Sequence, residues 1–247
     1  MSAQNVLVIG ATSAIAQAIA RKLAERGSSF VLWGRSEEKL ELVAKDLRVR
    51  GSGDVSIKAF DFNDLASHAP ALDDLAHRGN QIDLALVCHG VLGNQTAGEM
   101  DFGKATEILE ANCVSTLSFL TLLANYFEHR KCGCIAVLSS VAGDRGRRSN
   151  YIYGTAKAAV NTFLQGLRAR LYPCNVQVVT VKPGFVDTPM TSNLPKNFLF
   201  ASPQQVAHDV VRGIDRHRCV VYTPWFWRYI MLILRLIPER VFRRLRL

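Results

Sequence analysis

Tyr153 and Lys157 stand four residues apart at the start of an alanine-rich segment, Ala156 to Leu171. If that segment is a helix beginning just before Tyr153, the phenol and the ammonium lie on one face, one turn apart. The pairing has a chemical use. A free phenol titrates at about pH 10 and is a poor base at neutrality. An ammonium a few ångströms away favours phenolate and lowers that value. A phenol tuned in this way can give a proton to a carbonyl oxygen as hydride arrives, or take it back in reverse. Ser140, thirteen residues upstream, adds a hydroxyl able to hydrogen-bond the same oxygen. A tyrosine and a lysine at this spacing also suit any amphipathic helix, so the surrounding elements decide.

Those elements alternate. Asn5 to Ile9 reads as a short apolar strand, Gly10 to Ala16 as a small-residue turn, and Gln17 to Arg26 as a helix. Strand, turn and helix make a dinucleotide-binding opening, because the helix N-terminus offers free N–H groups and a positive dipole end to a pyrophosphate. Ala14 and Ala16 occupy positions where glycine is expected, which narrows the space for phosphate; an ordinary strand-to-helix turn has the same outline. A second strand, Ser29 to Trp33, ends in Gly34-Arg35-Ser36. An acid at that strand end would bind a ribose 2′-hydroxyl and repel a 2′-phosphate. With Gly34 there and Arg35 next, NADP(H) is favoured narrowly over NAD(H), a solvent-exposed loop arginine being the other reading.

Val55 to Phe60 is a third strand leading to Asp61-Phe62. Asp61 can accept a hydrogen bond from an adenine amino group, or cap a helix beginning near Asn63. Ile82 to Cys88 is a fourth strand, ending in His89-Gly90; Gly90 lets the backbone pass close to the nicotinamide ribose, and His89 reads as a structural or rim residue. Phe102 to Glu128 is a long helix containing Asn112, a position that is ordinarily only a polar surface residue. Ile135 to Leu138 is a fifth strand before Ser140, and Asp144 to Arg148 is a loop with three arginines. Arg147 and Arg148 are candidates to hold an anionic group of a substrate, if they are not simply solvated. Val176 to Lys182 is a sixth strand, followed by Pro183 to Thr188; Ser192 to Ala201 is irregular and suits a mobile lid. Pro203 to Arg216 reads as a helix and Val220 to Tyr222 as a seventh strand. With no repeat and no linker, residues 1–224 are expected to form one α/β domain. Its core is a doubly wound, seven-stranded parallel sheet with ligands at the strands' carboxyl ends.

The chain has 247 residues, 49% of them hydrophobic, which suits a sizeable single core. It holds no 18-residue uncharged apolar run, so no conventional transmembrane helix is expected. No charged leader or cleavage site precedes the first strand, so no signal peptide is expected and the location reads as cytoplasmic. Six cysteines form no paired C-x-x-C array, which points to buried thiols rather than disulfides or a metal site. The net charge is +9, and six arginines against one acid from Trp225 onward supply +5 of it. No nucleic-acid recognition motif accompanies that charge. Residues 225–247 form a separate tail. Trp225 to Ile237 is strongly apolar, broken by Arg228 and Arg235 on one face, and Pro238 precedes a second basic amphipathic piece. Such a tail suits an interfacial helix pair, apolar face in the acyl boundary and arginines at anionic headgroups, or else a helix packed on the core or on another subunit.

Together these residues resemble the short-chain dehydrogenase/reductase family over nearly the whole chain. The resemblance rests on Gly10 to Ala16, Asp61, Gly90, Asn112, Ser140, Tyr153-x-x-x-Lys157 and Pro183-Gly184, in family order and spacing. It implies an NAD(P)-dependent oxidoreductase with Tyr153 as general acid/base, Lys157 as its tuner and ribose ligand, Ser140 as carbonyl orienter and Asn112 as anchor of a proton-relay water. It implies cofactor contacts from Gly10, Thr12, Ser13, Ala14 and Ile15, and from Arg35, Asp61, Phe62 and Gly90. Pro183, Val186 and Thr188 would flank the nicotinamide, Thr188 at its carboxamide. The chain departs from the family at Ala14, Ala16 and Cys88-His89-Gly90, where Asn-Ala-Gly is frequent. Within the family it looks like the reductases of decaprenylphosphoryl-2-keto-ribose, which work beside a flavin oxidase to make an arabinose donor. That likeness rests on Gly146-Arg147-Arg148, on Lys182 before Pro183-Gly184, and on the tail from Trp227 to Pro238. It implies a polyprenyl-phosphate sugar as substrate and a peripheral position on the inner face of the plasma membrane. A homo-oligomer is also implied. Two rivals stay open: an enzyme of the same fold acting on a soluble or carrier-bound ketone (a 3-ketoacyl group or a steroid), and a non-catalytic NAD(P)-binding assembly protein.

Overall fold

The computed structural model describes residues 3–77, 81–193 and 195–245. Leu194 of the irregular segment, and Arg246 and Leu247 of the tail, lie outside the described residues. Continuous apolar runs mark strands covered on both faces, while the edge strand Val55–Ala59 alternates and stays partly exposed. The strands begin with β1 (Asn5–Ile9), β2 (Ser29–Gly34), β3 (Val55–Ala59), β4 (Leu84–Val87), β5 (Gly133–Leu138) and β6 (Val176–Pro183). A short pair comes next, β7 (Phe185–Val186) and β8 (Phe200–Ala201), and then β9 (Val220–Thr223). Seven strands make one parallel sheet in the order β3-β2-β1-β4-β5-β6-β9, while β7 and β8 pair separately. The order reverses beside β1, which opens a crevice at the carboxyl ends of β1 and β4.

Helices cover both faces. On one side α1 (Ala14–Ala24), α2 (Glu37–Val49) and, late in the chain, the helix at Pro203–Asp215 bury Ile19, Leu40 and Val210. On the other lie α3 (His68–His77), α4 (Gln95–Met100), α5 (Phe102–Leu109), α6 (Ser115–Arg130) and α7 (Tyr151–Leu171); the helix at Pro203–Asp215 is then α8. Phe119, Leu120 and Phe127 of α6 and Leu164 of α7 fill this second core. The stretch Phe102–Arg130 is, by length and composition, apolar enough to cross a membrane. Here its apolar residues Phe119, Leu120, Leu123, Ala124 and Phe127 are buried in the protein.

Several expectations change. The long helix is not continuous: a π-helical turn, Glu110–Val114, separates α5 from α6. Such a turn inserts one residue and rotates the remainder of the helix. Asn112 is consequently fully buried rather than a surface residue. The helix after β3 begins at His68, not near Asn63, because Asp61 caps a turn instead, accepting the Asn63 N–H at 3.0 Å. β4 is shorter than the apolar run suggested. All six cysteines are free thiols, but Cys132 and Cys219 are exposed and only Cys88 and Cys134 are buried. In the tail, α9 (Trp227–Leu236) and α10 (Glu239–Phe242) form, with Trp227 and Met231 packed against Val141 and Phe185.

Phe119 joins the second core to the site, stacked on His68 at 3.6 Å and edge-on to Phe62 and His89. Phe119→Ala should lower the unfolding free energy by about 3–5 kcal/mol in a urea titration. A loss below about 1 kcal/mol would mean that the cluster is not packed as described.

Candidate active site

The carboxyl ends of the central strands open onto a cleft of about 730 Å³, within the usual range for small-molecule sites. One wall is the turn into α1. Gly10 has a φ of +86°, and a Cβ there would sit 2.6 Å from the His89 backbone nitrogen, so only glycine fits. Thr12, Ser13, Ala14 and Ile15 line the same wall. Ser13 caps α1, accepting the Ala16 N–H at 3.5 Å, and Gln17 Nε2 holds the Thr12 carbonyl at 3.0 Å. The first N–H groups of a helix lack intrahelical partners, so this wall suits a pyrophosphate. The two alanines differ. Ala16 packs in the sheet core, fully buried, and its methyl takes no phosphate space; Ala14 alone lines the cleft. Arg35 lies at the rim after β2, exposed and, among the described residues, without an ion-pair partner. Asp61 and Phe62 line the adjoining edge. The cradle therefore fits a dinucleotide.

Gly90 brings the backbone close at the centre. A Cβ there would lie 2.5 Å from Asn112 Oδ1 and 3.4 Å from Lys157 Nζ. Asn112, turned inward by the π-helical turn, ties this loop down. Its Nδ2 donates to the carbonyls of Val91 (2.8 Å) and Ile108 (2.9 Å), and its Oδ1 accepts the Val91 N–H at 3.2 Å. His89 is structural, as expected: Nε2 lies 3.1 Å from Ser115 Oγ and 3.3 Å from Thr116 Oγ1. Burial, with the Lys157 charge, drops its pKa to about 3, so the ring is neutral.

The opposite wall brings together Ser140, Tyr153 and Lys157. Ser140 lies two residues past β5, and its Oγ accepts the Ala142 N–H at 3.1 Å. The helix α7 begins at Tyr151, as the spacing required, so Tyr153 and Lys157 share its cleft face. Lys157 Nζ is 5.6 Å from the Tyr153 ring centre and donates to the Leu138 carbonyl at 3.3 Å. Ser140 lines the same wall beside the phenol. Burial nevertheless pushes Tyr153 up to about 12, against the lowering effects of Ser140 and of the Arg147 charge. The expected net lowering by the lysine is thus reversed: the phenol is half-buried, and burial of the 4% exposed Lys157 brings it down to about 8. Pro183, Val186 and Thr188 line the far edge. There Thr191 Oγ1 accepts the Thr188 N–H at 3.3 Å and donates to the Val186 carbonyl at 2.5 Å.

The arginine loop divides three ways. Arg147 lines the cleft, half-buried, with its Nε unpartnered, and burial lowers its pKa. Arg148 points to solvent and is not brought to the cleft. Arg145 turns to the tail. It donates to the carbonyls of Leu234 (2.6 Å), Arg235 (3.2 Å) and Ile237 (2.6 Å) and pairs with Glu239 at 2.8 Å. It thereby occupies the negative end of α9. Residues 188–191, not the following irregular segment, line the cleft. That segment is tied at both ends, by the Asp187–Lys196 pair and by the β7–β8 pairing. The residue missed from sequence is Trp227. It lines the cleft, 3% exposed, with an unpartnered Nε1, and a Cβ on Gly184 would overlap its indole. The available signal was its place just past the carboxyl end of β9, where ligands of such sheets gather. Asn150, also in the lining, has an unpartnered Oδ1.

Residues 4–198 match the family described as short chain dehydrogenase. An uncharacterized oxidoreductase of Mycobacterium tuberculosis is 36% identical over 243 residues, covering 98% of this chain and 97% of that one. An 11-beta-hydroxysteroid dehydrogenase-like 2 of Arabidopsis thaliana is 30% identical over 247 residues, covering 96% and 78% respectively. A solved short chain dehydrogenase from Burkholderia cenocepacia, in complex with NADP, has the same fold. Its TM-score is 0.82 at 22% identity, with 98% and 97% of the two chains covered. A cradle that only glycine can floor, a serine, tyrosine and lysine on the facing wall, and a family match across most of the length make this chain a member of the short chain dehydrogenase family and an NAD(P)-dependent oxidoreductase.

Proposed function

We propose that the protein reduces a ketone with NADP(H), Tyr153 giving the proton to the carbonyl oxygen. The observation that carries this reading is the placement of Ser140, Tyr153 and Lys157 on one wall of the cleft, with the half-buried phenol one helical turn from the Lys157 ammonium and its pKa raised to about 12. Ser140 orients the oxygen, and Lys157, an ammonium below its value of about 8, supports the proton transfer from the same face. Asn112 keeps the Gly90 loop at the distance the ribose needs and anchors a relay water. Gly10 and residues Thr12, Ser13, Ala14 and Ile15 would hold the pyrophosphate, Asp61 and Phe62 the adenine, and Pro183, Val186 and Thr188 the nicotinamide. A bound nicotinamide nucleotide supplies the hydride. The unpaired, exposed Arg35 at the end of β2 supports the 2′-phosphate form, and the family member in complex with NADP agrees with it.

The finer substrate reading is a keto group on a polyprenyl-phosphate sugar: decaprenylphosphoryl-2-keto-ribose, reduced to its arabinose epimer after a flavin oxidase has made the ketone. Arg147 supports it, being a half-buried guanidinium in the cleft with no counter-charge among the described residues. Such a substrate calls for a peripheral place on the inner face of the plasma membrane, and family habit for a homo-oligomer. In this reading residues 1–224 carry the chemistry and residues 225–247 an amphipathic tail. The name of the Arabidopsis relative favours a second substrate reading, a soluble steroid-like or carrier-bound ketone. Purified protein with the 2-keto decaprenylphosphoryl pentose in detergent, and NADPH or NADH, separates them. Arabinose-configured product, with faster absorbance loss for NADPH, is expected. No turnover with cofactor binding intact would remove this substrate and leave the soluble ketone.

Tyr153→Phe should cut turnover by at least about 10²-fold, the scale of general acid catalysis, and leave NADPH affinity nearly unchanged. Equal loss of both would refute the acid role.

Lys157 predicts a pH effect on stability. Its folded pKa, about 8, lies below its ordinary 10.5. Between those values the unfolded chain holds the proton that the folded chain has released, so stability rises with pH there; below pH 8 the cost of burying the ammonium is fully present. Lys157→Met should therefore be inactive yet more resistant to urea than the wild type at about pH 7, with the gap closing as pH rises through this window. A gap independent of pH would contradict the lowered value.

A further inference from the structure

The tail helix α9 carries two apolar stripes. Trp227, Met231 and Leu234 face inward, on Val141, Phe185 and Tyr222. A second set repeats at helical spacing on the outer side. There Trp225 is 71% exposed, Tyr229 56%, Leu232 52%, Ile233 63% and Leu236 73%. The stripe continues past Pro238 through Val241 and Leu245, 51% and 40% exposed. A helix of a water-soluble domain needs one such stripe, not two, and contiguous exposed apolar surface marks a contact.

The charges beside the stripe have one sign. Arg228, Arg235, Arg240, Arg243 and Arg244 are all exposed and, among the described residues, none has an ion-pair partner. The one acid of the segment, Glu239, is taken by Arg145. A second copy of this chain docking by the same patch would bring like-charged arginines together without an acid to answer them. An anionic bilayer answers all of them at once. Trp225 and Tyr229, in edge contact at 6.0 Å, stand at one end, the kind of aromatic pair that settles at a headgroup boundary.

We propose that the outer face of α9 and α10 is a docking surface for an anionic lipid bilayer. This deepens the lipid-linked reading above, by naming the surface such a substrate requires, but its test does not need that substrate. The inner side of the same helix supplies Trp227 to the cleft, so the bilayer and the substrate wall are separated by one helix diameter, about 10 Å. Arg145, gripping the carbonyl end of α9 from the loop that bears Arg147, keeps the two in fixed relation.

Full-length protein would be sedimented with vesicles of phosphatidylglycerol and phosphatidylcholine, and with phosphatidylcholine alone. Binding to the anionic vesicles that falls steeply with salt is expected. Leu232→Glu with Ile233→Glu should lower it at least about tenfold, with NADPH affinity and thermal unfolding unchanged. Arg240→Glu with Arg243→Glu should do the same and serves if the first pair misfolds, since each basic residue contributes about fivefold. No binding to anionic vesicles, or binding indifferent to both pairs, overturns the proposal. A dimer that Leu232→Glu with Ile233→Glu dissociates, seen by sedimentation equilibrium, overturns it in favour of a second copy. Failure here leaves the Tyr153 chemistry standing, and loss of ketone reduction in Tyr153→Phe leaves vesicle binding untouched.

Discussion

The chemistry of the cleft depends on how closely the turn after β5 approaches α7. Gly143 makes the approach: a Cβ there would lie 2.6 Å from the Lys157 backbone carbon and 2.7 Å from the Ala158 nitrogen. Gly154 answers from the helix side, with room of only 3.0 Å to the Ala142 carbonyl. Beneath them Ser139 donates to Asn161 Oδ1 at 2.7 Å in a buried contact. Ser140 belongs to the turn after β5 and Tyr153 to α7, so their meeting on one wall of the cleft is set by this packing and not by either element alone. In the proposed reaction, preorganisation of this kind would let a hydroxyl and a phenol meet one oxygen without rearranging when a substrate arrives.

The same closeness works against stability. Lys157 is 4% exposed and, among the described residues, pairs with no acid and donates to the Leu138 carbonyl. Around the cleft, His89 Nδ1, Arg147 Nε, Asn150 Oδ1 and Trp227 Nε1 are buried without partners. An unsatisfied buried group costs about 1–3 kcal/mol, so these four, with the buried ammonium, weigh against the stability of the fold around the cleft. The aromatic cluster on the other side, with Phe119 stacked on His68, and the double coverage of the sheet supply the compensating stability.

Much of this was legible in the sequence because it is local or periodic. Apolar runs marked all seven strands of the main sheet, and the four-residue spacing placed Tyr153 and Lys157 on one helix face. Gly10 was readable because a strand-to-helix turn at a phosphate needs a glycine whatever the rest of the chain does. What escaped was set by packing. Nothing in the run from Phe102 to Arg130 announces a π-helical turn, yet that one extra residue decides whether Asn112 faces water or the cleft. Ala16 looked like an obstruction, but α1 rotates it into the core. The phenol's titration could not be read from the lysine's charge, since the effect of burial outweighs the lowering effects of Ser140 and Arg147.

The arginine loop shows why composition misleads at close range. Three like side chains within four residues suggested a shared task, but each turns to a different environment. Asp144, just before them, fixes the divergence: its side chain, 3% exposed, accepts from Lys182 at 2.5 Å and from the Tyr222 hydroxyl at 2.7 Å. A buried carboxylate bound on both oxygens holds the loop's first residue against β6 and β9, and burial, together with that carboxylate, pushes Tyr222 well above its ordinary range. From that fixed point Arg145 reaches only the tail and Arg147 only the cleft. Removing Asp144 would leave the Lys182 ammonium buried without its partner and would loosen the tail and the substrate wall together. Strand ends, tail helix and arginine loop are thus one mechanical unit. Its rigidity, rather than any single arginine, sets what can enter beside Tyr153.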